Sequence, residues 1–210
     1  MIKHSGRSGG SRRSGTSGGS GRAGWGDSGQ ALLEFALVVP VVLVLALGVV
    51  EVGYALLDQH IVSKLAREGA NLISRDTSLA DAATAMANMS SRPVNFSNGS
   101  SKVIFSVVKN VATVGASNYN KPVLYQRYAY GSLTGSSTLN NSGGTFGSGP
   151  EFQAVNSDND ASLQVTNLPV TVSLGGMLYV AEIYTRHPLI TPLDQFGIQM
   201  PPTLYSIAYF

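Results

Sequence analysis

Sixteen consecutive residues, Phe35 to Val50 (FALVVPVVLVLALGVV), carry no charge, and nothing else in the chain restricts its folding as much. Val52 to Leu57 extend this run past Glu51 to about the 20 residues that an α-helix needs to cross a bilayer. It is the one membrane candidate in the sequence. Lys3, Arg7, Arg12, Arg13 and Arg22 precede it, and a mixed-sign stretch follows. Basic flanks stay on the cytoplasmic side, so the N-terminus is expected there and everything after Leu57 outside the membrane.

Those five basic residues also distort the net charge of +2. After Gly29 the chain keeps nine basic and eleven acidic residues, a net of −2, with no basic field for a nucleic-acid partner. Cysteine is absent, which removes disulfides and thiolate metal sites. Residues 1–29 hold ten Gly and seven Ser, a composition with too little apolar surface to offset chain entropy, and read as a disordered leader. Arg12-Arg13 is followed by Ser14, Gly15 and Thr16 where a twin-arginine export signal needs apolar residues.

Beyond the apolar run, Leu57, Ile61 and Leu65, then Val62, Ala66 and Ile73, recur at helical spacing, so one stem helix is expected over residues 30–75, bent locally at Pro40. "DTSLADAATAMANM" predicts a second, shorter helix with Ser78 and Asp81 at capping-box spacing, closed by Pro93. After Arg92 the pattern turns β-branched and aromatic. "KVIFSVVKNVATV", "KPVLYQRYAYG", "ASLQVTNLPVTVSL" and "GMLYVAEIYTRHPLI" read as strands of one antiparallel sheet. Gly131 to Pro150 is polar and Gly-rich and reads as a surface loop that tolerates shortening. The fold expected is α+β: a long hydrophobic stem helix, a short helix and a small antiparallel sheet as an extracytoplasmic head, residues 76–210.

Glu34 stands at the mouth of the apolar run, five residues after Gly29 and directly before Phe35. A carboxylate at the end of an ordinary anchor is tolerated. Glycine, four residues, glutamate and phenylalanine after a flexible leader also fit a processing site, because glycine gives a peptidase a small residue at the bond it cuts. Cleavage after Gly29 makes Gln30 the new N-terminus. Its ammonium then offsets the Glu34 carboxylate of a neighbouring stem and fixes the axial register of a filament, since a buried charge is costly unless paired.

"GQALLEFALVVPVVLVLALGVVEVGYAL" resembles the processing site and stem of the TadE-like pseudopilins, minor subunits of the tight-adherence (Tad/Flp) branch of type IV pili. "KLAREGANLISR", "VLYQRYAYGSL" and "GGMLYVAEIYTRHPLITPL" resemble their stem continuation, central strand and late strand. Tyr125 stands where an aromatic Trp is usual, "SIAYF" replaces a basic ending, and the leader is long. The resemblance implies a pilin-like fold and a bacterial inner-membrane location. The partners it implies are a prepilin peptidase, the Tad inner-membrane assembly platform, other Flp pilins and pseudopilins, and the lipid bilayer. Adhesion or biofilm formation is the outcome.

No enzyme activity, cofactor or metal is expected. Glu182 alternates with Val180 and Tyr184, opposite Tyr179, Ala181 and Ile183, and reads as a half-solvated structural residue paired across strands with Arg127. His4, His60 and His187 share no metal-ligand spacing. Asp158 and Asp160 with Asn156 have oxygen spacing that suits calcium or, more simply, an Asx-rich turn. No phosphate-binding loop ends in Gly-Lys-Ser. The alternatives are an unprocessed single-pass anchored protein that binds something outside the cell, and a hydrolase released by cleavage near Ala46-Leu47-Gly48.

Overall fold

The computed structural model describes residues 25–197 and 201–210. Most of the expected leader, residues 1–24, lies outside them. Helix α1 runs Trp25–Ile73 and passes through Pro40. It begins ahead of Gln30, so Gly29 and Gln30 are helical. Once an apolar helix is nucleated, adding residues at its end is far easier than starting it. The chain divides into two units after Leu43, and the larger, from Val44 to Phe210, holds the rest of α1 and the whole head.

Helix α2, Leu79–Met89, starts where its cap allows. Ser78 Oγ accepts from the Asp81 backbone N–H at 3.1 Å and donates to the Asp81 carboxylate at 2.7 Å, so the cap and the third helical residue satisfy each other. Strands β1 (Ser101–Asn110), β2 (Pro122–Tyr130), β3 (Met177–Arg186) and β4 (Thr203–Tyr209) form one antiparallel sheet in the order β2-β1-β3-β4. The sequence indicates β1, β2 and β3. It fails twice elsewhere. "ASLQVTNLPVTVSL" is not a strand: Ala161–Leu163 is a short 3-10 helix, and the rest is irregular up to the turn before β3. Its Pro169 lacks a ladder N–H. The edge strand β4 went unread because it is seven residues of mixed pattern after two prolines, with its register set by β3.

Alternation of side chains splits the sheet into two buried faces. Val103, Phe105 and Val107 of β1, with Ala181 and Ile183 of β3, meet Val62, Leu65, Ala66, Ala70 and Ile73 of α1 and Leu79, Ala82, Ala83 and Met86 of α2. Gly69 sits at the closest approach. A Cβ there would lie 3.1 Å from Met86 Cε and from Phe105 Cε1 and 3.3 Å from Ala181 Cβ, so any larger residue would press its neighbours apart by a few tenths of an ångström.

The opposite face, Val108, Val123, Leu124, Leu178 and Val180, is covered by Leu139, Ala154, Leu163 and Val165 from the chain between β2 and β3. Among the described residues no α-helix covers it, only irregular chain and the short 3-10 helix. Three isolated bridges, Val123 to Gln164, Gln126 to Gln153 and Phe146 to Ala154, pin this chain to the sheet and to itself. The stretch Gly131–Pro150 is therefore part of the fold, against the expectation of a dispensable surface loop. Its few apolar side chains point inward, and composition averages that away.

The covering chain makes a stability prediction. Leu163→Ala, at a fully buried position, is expected to destabilise the protein by about 2–5 kcal/mol. Removing residues 136–144 takes out Leu139 and is expected to abolish the cooperative thermal transition of the detergent-solubilised chain. An unchanged melting curve for the deletion would mean that the second face needs no cover.

Candidate functional site

Two regions concentrate charge where it is costly. The first is the start of α1. Gln30 Nε2 donates to Glu34 Oε1 at 3.0 Å, one helical turn apart and in the open. Around and after it the helix exposes apolar side chains on every side: Leu32, Leu33, Phe35, Leu37, Val38, Val41, Val42, Leu43 and Leu45 are all more than half exposed. By length and composition α1 is long and apolar enough to cross a membrane. A Cβ built on Gly29 meets nothing within 4 Å, so nothing among the described residues requires glycine there.

The second region is at Glu51, which the sequence places as a mere interruption of the apolar run. It is fully buried. β3 ends at Arg186 and the chain turns through His187-Pro188-Leu189-Ile190-Thr191, stiffened by Pro188 and Pro192, back onto α1. There Glu51 Oε2 accepts from the Thr191 hydroxyl at 2.6 Å, the Thr191 N–H at 2.9 Å and the Ile190 N–H at 3.2 Å. His187 lies between two carboxylates, with Nδ1 2.9 Å from Asp58 Oδ2 and Nε2 3.4 Å from Glu51 Oε1. Farther along α1, Gln59 Nε2 donates to the Tyr205 carbonyl at 3.0 Å, and Ser63 meets Ser206 at 3.2 Å. The head is thus fastened to α1 by polar groups from Glu51 to Ser63, at and just beyond the end of the apolar run. Sequence spacing hides this, because Glu51 and Thr191 are 140 residues apart.

Glu182 is also fully buried rather than half-solvated. Its carboxylate accepts from the Thr138 N–H at 2.8 Å, the Thr138 hydroxyl at 2.7 Å, the Tyr205 hydroxyl at 2.9 Å and the Ser137 hydroxyl. Arg127 reaches Ser106 Oγ at 3.2 Å, Asn141 Oδ1 at 2.8 Å and Ser137 Oγ at 3.2 Å. Ser137 therefore bridges the two charges, which do not touch because β1 lies between β2 and β3. Burial lowers the Arg127 pKa against the opposing pull of Glu182, and burial raises that of Tyr205, with the Glu182 charge adding to it. Four donors thus converge on the Glu182 carboxylate, three of them on Oε1.

The remaining candidates are turns. Asp160 caps the 3-10 helix through the Ser162 N–H at 2.9 Å and hydroxyl at 2.7 Å. Asp158 accepts from Thr113 at 2.6 Å and lies 3.5 Å from Lys109; the Thr113 hydrogen bond, then the lysine charge, hold its pKa below the usual value. Asn95 and Asn98 fold the loop before β1 through side-chain bonds to the N–H groups of Ser97 and Ser100. Among the described residues no three His, Asp or Glu side chains gather as for a metal.

Residues 29–71 match the family model described as TadE-like protein. The match covers α1 from Gly29 almost to its end, about a fifth of the chain, and is consistent with a TadE-like pilin of Tad systems. Comparison with curated proteins and with solved structures gives no match.

Glu51→Ala is expected to cost about 3–5 kcal/mol, because it strands the Ile190 and Thr191 donors and unbalances His187. Thr191→Val, which removes one hydroxyl, is expected to cost about 1 kcal/mol. Limited proteolysis should cut the Glu51→Ala chain between residues 187 and 191 first. Equal protease resistance in both variants would show that the loop is held by something else.

Proposed function

We propose that the protein is a minor pseudopilin of a Tad/Flp-type pilus, cut by a prepilin peptidase between Gly29 and Gln30 and then assembled through its stem. The carrying observation is a TadE-like helix that is apolar on all sides and whose first carboxylate after Gly29, Glu34, has only the Gln30 amide as a partner among the described residues. Such a surface demands cover and such a charge demands a counter-charge. In the membrane before assembly, lipid covers the stem, with the N-terminus cytoplasmic and the head outside. In an assembled filament, neighbouring stems replace the lipid, and the ammonium freed at Gln30 answers Glu34.

The bond to be cut lies in the first turns of α1, where helices fray. Glycine disfavours helix by about 1 kcal/mol relative to alanine, so opening that turn in the peptidase site is easy. The assembly platform and other Flp pilins and pseudopilins are the partners, and adhesion or biofilm formation is the consequence. An unprocessed anchor explains the apolar helix equally well but gives no use to Glu34 with Gly29 at that spacing.

Gly29→Leu is expected to fold normally, since the position is open, yet to accumulate uncut on an immunoblot; the wild-type intact mass should begin at Gln30. Glu34→Ala is expected to be cut normally and to lose crosslinking to pilin subunits, because stranding a buried ammonium costs about 3–5 kcal/mol against the weak packing preferences of apolar helices in lipid. Wild-type maturation of Gly29→Leu overturns the cleavage site. Undiminished crosslinking of Glu34→Ala leaves the anchored reading in place.

A further inference from the structure

We propose that the end of the head nearest Glu51 docks on acidic phospholipid, with Arg92 and Arg186 holding the lipid phosphate. A cavity of about 890 Å³ opens there, lined by Arg92, Asn95, Asn98, Ser100, Thr134 and Arg186 among others, with no carboxylate in its wall. Both arginines are exposed, and among the described residues neither guanidinium makes a hydrogen bond or an ion pair. The chain after Gly29 has a net negative charge, so this pair is a local exception to the head's electrostatics.

The two arginines sit on segments tied to each other. Thr185 Oγ1 donates to the Pro93 carbonyl at 3.2 Å, the Arg186 N–H donates to the Ser100 carbonyl at 2.8 Å, and the Asn95 N–H donates to Ser101 Oγ at 2.8 Å. Two forked cations on a fixed frame suit a phosphate.

Location selects a lipid over a free anion. Arg186 leads directly into the His187–Thr191 turn that Glu51 and Asp58 hold on α1. At that level the rest of α1 exposes Val49, Val50, Val52, Leu56 and Leu57, and the turn itself exposes Leu189 and Ile190. A phospholipid offers acyl chain to this apolar surface and phosphate to the arginines beside it. Residues near an anionic membrane gain about 5-fold in affinity for each basic side chain. This inference rests on the reading of the stem as membrane-embedded.

The test is native mass spectrometry of the full chain in detergent micelles holding equal phosphatidylglycerol and phosphatidylcholine. Wild type is expected to retain phosphatidylglycerol preferentially. Arg92→Gln with Arg186→Gln should remove about 5-fold of that preference per arginine, and Arg92→Lys with Arg186→Lys should keep most of it. No preference in wild type, or a preference that survives in the glutamine pair, overturns the proposal. So does loss of the bound lipid on adding millimolar inorganic phosphate, which would mark a free-anion site. Alkaline extraction of membranes separates the two readings: a wild-type chain that washes out refutes the embedded stem itself, whereas one that stays in place with no lipid preference refutes only the docking site.

Discussion

Helix α1 must satisfy two surroundings along its length, and the rest of the structure follows from how it does so. Up to about Leu57 its apolar residues face all directions, which leaves no single side that can direct a partner. From Val62 onward they keep to one side, at Val62, Leu65, Ala66, Ala70 and Ile73, and that stripe makes a face for the sheet. A helix that changes character so abruptly needs a fixed point between its halves, or the head would bear on only its last three turns. Glu51, Asp58, Gln59 and Ser63 provide that point through hydrogen bonds to β4 and to the turn that follows β3.

The use of irregular chain over the second sheet face has a related origin. A sheet covered on one side by helices still has Val108, Leu124, Leu178 and Val180 to cover on the other, and among the described residues no further α-helix packs on them. Irregular cover carries unpaired backbone groups that must be satisfied one by one. Side chains do this work: buried Glu182 accepts from the Thr138 N–H, buried Asn118 donates to the Ser157 and Asp160 carbonyls, and exposed Asn140 accepts from the Thr166 N–H. The charge on Glu182 is tolerated because four donors converge on it, and Arg127 stands one serine away.

The contrast explains what was legible in the sequence. Periodicity located α1, α2 and three strands, the Ser78 cap was readable from spacing of three, and the faces of β3 followed from alternation. Each of these signals is local. The burial of Glu51 and Glu182 was not readable, since partners such as Thr191 and Thr138 lie 140 and 44 residues away and are of types common on any surface. Nor was the covering role of Gly131–Pro150, where the buried Leu133 and Leu139 are outvoted by their polar neighbours. β4 owes its existence to pairing with β3, which no window of seven residues encodes.

The two carboxylates of the apolar stretch of α1 now separate by physical circumstance rather than by position. Glu51 is sealed, and its oxygens face two N–H groups, a hydroxyl and an imidazole from the same chain. It asks nothing of another molecule. Glu34 is exposed beside apolar neighbours and meets a single neutral amide. In water that is sufficient, because solvent completes its shell. In lipid, or against the apolar stem of another subunit, the same carboxylate lacks a counter-charge, and desolvation without one is among the largest penalties a side chain meets. A group that is satisfied in one setting and starved in the other favours whichever neighbour brings a positive charge to its level.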